Sequence, residues 1–177
     1  MHLTLVIALI SYHTVTNALE CYDSSERLIG DACFSLVNER KNFYDAQRHC
    51  QRNMKTWSNL AVENNSSQMV FLTRYAKTDF GVGDTGWFWL GVLRMETNDN
   101  FKTVTGLPLY WQNFKDINPS MNYVAARLAD GSWDTKPLEE KLPFACSYVP
   151  LPRKQAREAE SRSSNWLRES AYRSIDS

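Results

Sequence analysis

Four cysteines, Cys21, Cys33, Cys50 and Cys146, limit what this chain can become more than any other feature. They follow a short apolar run, Leu3 to Ile10, which ends in the small-residue stretch Thr16-Asn17-Ala18. Such a leader reads as a secretory signal over residues 1–18, with the mature chain starting at Leu19. It is too short to cross a bilayer as a helix, which takes roughly 20 apolar residues, so no membrane span is expected. An even cysteine count in a secreted chain points to disulfides, and four cysteines leave three pairings open. Zinc is the rival reading. It lacks support, because there is no Cys-x-x-Cys spacing and only His49 remains beyond the leader.

The local patterns predict an α+β domain over residues 19–149. A Gly30-Asp31 turn between apolar flanks predicts a hairpin, and Phe34, Leu36 and Val37 continue it as a strand. Asn42 is placed to cap a helix whose face carries Phe43, Ala46 and Cys50. A strand is expected at Leu60-Ala61-Val62. A second helix then runs from Ser66 or Ser67 to about Lys77, with Val70, Phe71, Arg74 and Tyr75 setting its faces.

Trp87 to Leu93 is apolar almost throughout and predicts a strand buried on both sides. Residues 94–122 are irregular in pattern, interrupted by a short strand at Leu109-Tyr110-Trp111. A stretch of that length inside a compact domain is usually functional. Strands at Tyr123 to Leu128 and Phe144 to Val149 follow, with a turn at Asp130-Gly131 between them. Residues 150–177 hold six basic and four acidic side chains and few apolar ones, a composition that predicts a disordered tail.

The order of these motifs resembles the C-type lectin-like domain across residues 21–149. Trp89-Leu90-Gly91-Val92 matches the family's core strand, Cys50 its helix cysteine, and Leu142-Pro143-Phe144-Ala145-Cys146 its closing strand. The resemblance implies two helices packed on small antiparallel sheets with a long irregular loop region. It also implies the pairs Cys50–Cys146 and Cys21–Cys33. Closing the longer loop contributes about 4–5 kcal/mol in the chain-entropy model, against about 3 for the shorter. The family's second loop disulfide would fall near Tyr123 or Val124 and at Leu138. Those positions hold no cysteine, so the loop is expected to be held by packing alone.

Sugar-binding members coordinate calcium through a Glu-Pro-Asn or Gln-Pro-Asp triplet completed by Asn-Asp after the core Trp. Here those positions read Asn118-Pro119-Ser120 and Trp133-Asp134-Thr135. In the family this proline is often cis. Calcium takes six to eight oxygens, with carboxylates prominent among them. Two acids of the pattern are neutral here, so no cofactor is expected, calcium included.

The resemblance thus implies a secreted, extracellular binding protein, monomer or dimer. Its ligand would be a glycan or an extracellular protein, met on the long-loop surface. Candidate contacts are Tyr110, Asn113, Asn118, Ser120, Tyr123, Asp134 and Thr135. Trp111 and Trp133 match core positions and read as packing. The alternative is a structural or toxin-like protein that dimerises through the loops without binding glycan.

A formal net charge of zero gives no pull towards nucleic acid. An enzyme is not expected either, since His49 is the single histidine of the mature chain and no nucleophile is paired with it. Asn64 and Asn65 begin two overlapping glycosylation sequons. They are candidate acceptors, and an unmodified helix cap is the plain alternative.

Overall fold

The computed structural model describes residues 19–53 and 58–150. The leader over residues 1–18 and the tail from residue 151 lie outside the described residues.

The hairpin forms where its turn residues demand it. Strand β1 (Arg27–Ile29) pairs with β2 (Ala32–Lys41) around Gly30-Asp31. Asn42 caps helix α1 (Phe43–Asn53), its side-chain oxygen accepting the Asp45 N–H at 2.8 Å. The two-residue β3 (Asn59–Leu60) follows. Helix α2 (Ser66–Phe80) is capped one residue earlier than the serines suggest. The Asn65 side chain accepts the Gln68 N–H, and Asn64 N–H donates to the Gln68 side chain. The helix ends at Gly81, whose φ of 64° is a left-handed conformation that costs glycine little.

The buried side of α2 also differs from expectation. Met69, Leu72, Thr73, Ala76 and Phe80 face the core, while Val70 and Phe71 are 64% and 49% exposed. Thr73 hides this stripe in the sequence. Its hydroxyl donates to the Met69 carbonyl at 2.6 Å, which lets a polar residue sit in the core.

The remaining strands are β4 (Trp87–Leu93), β5 (Lys102–Thr103), β6 (Phe114–Asp116), β7 (Tyr123–Arg127), β8 (Trp133–Lys136) and β9 (Leu142–Tyr148). Residues 109–111 form no strand; β5, β6 and β8 are the elements that the alternation did not reveal.

The nine strands of the described residues join in one mixed sheet rather than several small antiparallel ones. The path is β1-β2-β9-β4-β7-β8-β6, with β3 on β9 and β5 on β4. Two of its pairings are parallel, β4 with β9 through Trp89 and Phe144, and β6 with β8. The closing strand lies between β2 and β4, so the two ends of the domain meet at its centre.

Strand β4 is buried on both faces, as its run of apolar residues requires. Phe88, Leu90 and Val92 enter one core cluster with Leu72, Met69 and Trp133. Trp89 points the other way, into a second cluster with Phe43, Leu60 and Phe144. Alternation along the strand thus feeds the α2 and α1 sides in turn. Trp89 also donates its indole N–H to the Lys41 carbonyl at 2.8 Å.

The disulfides are Cys21–Cys33 and Cys50–Cys146, spanning 12 and 96 residues. The second ties α1 to β9 and closes the domain on itself.

Candidate functional site

Arg94 immediately follows β4, and its head is almost wholly buried at 7% exposure. Its guanidinium donates to Asn122 Oδ1 and to the carbonyls of Thr97, Asn118, Pro119 and Met121, at 2.7 to 3.2 Å. It also lies over the Phe101 ring, 4.9 Å from the centroid. One buried cation therefore gathers both ends of the long loop. This corrects the expectation that packing alone holds the loop once the second disulfide is missing. The only sequence signal was a charge placed directly after a buried apolar run.

Replacing Arg94 with Met should loosen residues 118–122 and cost about 2–4 kcal/mol, because four carbonyls lose a charged donor. Hydrogen exchange and limited proteolysis would read the change. An unaltered exchange rate at Met121 would count against this role.

Packing beneath the loop is aromatic. Trp133 is fully buried, with the rings of Trp111 and Phe114 nearly perpendicular to it at centroid distances of 5.3 and 5.4 Å. Phe101 packs on Phe114 at 4.7 Å. Trp111 and Trp133 are therefore packing residues, as the family positions imply. Asn113 is also internal: its amide donates to the Gly131 carbonyl, and its own carbonyl accepts the Trp133 N–H.

The structure brings Asn118, Asp134 and Thr135 together around a shallow cavity of about 360 Å³, with Asp116 and Glu140 on its wall. Asp116 and Asp134 are strand partners across β6 and β8. Asn118 N–H donates to Thr135 Oγ1 at 2.8 Å, and Asn118 Oδ1 accepts the Ser120 N–H at 2.9 Å. Asp134 Oδ1 is buried and has no hydrogen-bond partner. The Asn118–Pro119 bond is trans, unlike the conformation frequent in the family. Among the described residues no three Asp, Glu, His or Cys side chains converge as a metal-binding group.

Ser120, Tyr110 and Tyr123 do not line this cavity. Tyr110 stands out from the surface, 89% exposed. Tyr123 packs on Phe43 at 4.8 Å and on Tyr44 at 5.6 Å. Burial, and then its hydroxyl contact with Tyr44, push the Tyr123 phenol up to about 12, so it is a neutral hydrogen-bonding group at physiological pH.

The other polar residues of interest lie away from this cavity. His49 sits edge-on to Phe144 at 5.1 Å, and burial lowers its pKa. Of the two sequon residues, Asn65 uses its side-chain oxygen as the α2 cap, and both are exposed.

The family model described as the lectin C-type domain matches residues 39–148. The chain belongs to the C-type lectin domain family. C-type lectin domain-containing protein 161 of Caenorhabditis elegans is 27% identical over 128 residues, which are 67% of this chain and 13% of that protein. The chain thus spans only a small part of that relative. Human lithostathine superposes with a TM-score of 0.63 at 20% identity, covering 72% of this chain and 98% of lithostathine. A calcium-independent type II antifreeze protein superposes equally well, with a TM-score of 0.63 at 16% identity, covering 76% and 98%.

Proposed function

We propose that this chain is a secreted, extracellular recognition module that binds a glycan or protein ligand on its long-loop surface without calcium. The observation that supports it best is the state of the oxygens at the family's metal position. Asn118 Oδ1 and Thr135 Oγ1 each already accept a backbone N–H, and Asp134 supplies the one carboxylate at these positions, its Oδ1 without a hydrogen-bond partner. Calcium leaving water needs six to eight oxygens and nearby negative charge, and this donor set falls short. The two disulfides suit an oxidising, extracellular setting. In that setting Asn64 is the better sequon asparagine, since its exposed side chain makes no hydrogen bond among the described residues while that of Asn65 caps α2.

Calcium titrated calorimetrically into the purified chain should bind no more tightly than the millimolar range of loose extracellular modules. A glycan array should return the same ligands with calcium as with a chelator. Micromolar calcium binding that vanishes in Asp134→Ala would overturn this reading and restore the ordinary lectin mechanism.

A second reading draws on the loop's apolar surface. Met95, Leu107, Tyr110 and Ile117 are 74%, 57%, 89% and 43% exposed, all within residues 94–122. Exposed apolar side chains gathered on one segment suit a protein surface, including a second copy of the chain, better than a sugar. The likeness to a calcium-independent antifreeze protein fits a role without glycan as well. Size-exclusion mass separates the two. A stable dimer with an empty glycan array favours the protein-binding reading.

A further inference from the structure

The chain carries equal numbers of basic and acidic residues, 20 of each, yet they are not evenly spread. A pocket of about 420 Å³ opens where the end of β2, helix α1 and the residue before β9 meet. Arg40 and Lys41 come from β2, Arg48 and Arg52 from α1, and Lys141 precedes Leu142. Asp45 is the one carboxylate in the lining. None of these residues belongs to the long loop, so the pocket is separate from the surface discussed above.

Much of this charge is uncompensated. Asp45 is tied to Arg48, and Glu39, which precedes Arg40 in β2, pairs with Lys41 at 2.6 Å. Arg40, Arg52 and Lys141 are exposed and have no ion pair among the described residues. His49 also lines the pocket, and burial keeps it neutral at physiological pH, so it adds a polar wall rather than charge. Like charges drawn to one concavity repel each other and give the fold nothing, but they concentrate a field that attracts an anion. Guanidinium forks match the oxygens of sulfo and phospho groups in bidentate geometry. No Phe, Tyr or Trp side chain lines the pocket, and the His49 ring is already packed against Phe144, so the ligand is recognised by charge rather than by stacking.

We propose that this pocket is an anion site for the sulfo groups of an extracellular sulfated glycosaminoglycan. The disulfides favour this source over intracellular phosphate polymers, because they form and persist outside the reducing cytosol. Binding rests on released counterions, so it weakens steeply with salt and is indifferent to calcium chelators.

The test uses the full chain, heparin as probe, and titration at several salt concentrations. A variant with Arg40→Ala, Arg52→Ala and Lys141→Ala together should bind heparin at least about tenfold more weakly, with a shallower salt slope. A variant with Arg74→Ala and Lys77→Ala, on α2, should bind as the parent does. Hyaluronan, which has carboxylates but no sulfo groups, should bind much more weakly than heparin. If the triple variant melts early, the single exposed changes Arg40→Glu and Arg52→Glu carry the test with the same expected loss. The proposal is overturned if the parent chain ignores heparin or if the pocket variants bind it unchanged. Equal affinity for hyaluronan, or stronger binding to phosphatidylserine vesicles than to heparin, would overturn it too.

Discussion

Gly91→Ala should abolish folding or cost more than about 4 kcal/mol, a loss reserved for changes that the core cannot absorb. A Cβ at this position would lie 2.2 Å from the Leu60 carbonyl oxygen and 2.9 Å from its carbon. Both are backbone atoms, so no side-chain rotation relieves the clash. The backbone is also fixed on both sides. Gly91 N–H donates to the Ala61 carbonyl, and its own carbonyl accepts the Val104 N–H, each at 2.8 Å. Leu60 in turn pairs with Cys146 and donates its N–H to the Gln47 side chain. Moving either strand would break the contacts that join α1, β3, β4 and β9. Urea unfolding of purified Gly91→Ala is the measurement. A variant with a midpoint close to the parent would show that this crossing has slack that the geometry denies.

The second large effect concerns Glu63. Its side chain is 1% exposed, and neither carboxyl oxygen meets a partner at good geometry. Burial raises its pKa from 4.5 to about 8, opposed only by its own backbone N–H. Between those two values the folded chain keeps the proton that the unfolded chain has released. Stability contributed by this group is therefore full below pH 4.5 and is lost as pH rises towards 8. The slope within the window approaches about 1.4 kcal/mol per pH unit.

Glu63→Gln removes the titration and resembles the protonated acid in shape. It should flatten the slope and make the chain more stable than the parent at neutral pH. His49 acts in the opposite sense. Its lowered pKa favours the folded state as pH rises through the ordinary imidazole range, and subtracting the Gln variant isolates the glutamate. The lowered pKa of Asp130 acts only in the acid range, below its ordinary value of 3.8. Urea midpoints measured across the window decide the matter. A parent whose midpoint rises with pH as steeply as that of Glu63→Gln would refute it.

Local chemistry made much of this molecule legible without a structure. Turn residues placed the first hairpin at Gly30-Asp31, and a capping asparagine with apolar spacing placed α1. A continuous apolar run marked β4 as buried on both faces. Each of these signals acts over a few residues, which is why sequence carries them. The family motifs, read in order, supplied the fold and both disulfide pairings.

Other features depend on groups far apart in the chain, and only the tertiary structure decided them. Glu63 reads as an ordinary surface acid ahead of a helix, and only the folded chain shows it to be 1% exposed. Arg94 could not be told from any loop cation until carbonyls 24 to 27 residues away converged on its head. The single mixed sheet exists because β9 enters between β2 and β4, a pairing that local alternation does not encode. The cationic pocket is likewise an assembly, from a strand end, a helix face and a residue about 100 positions further on. Sequence thus settled what short-range sterics and hydrogen bonds dictate. Long-range convergence settled which charges are buried, which are satisfied and which still await a partner.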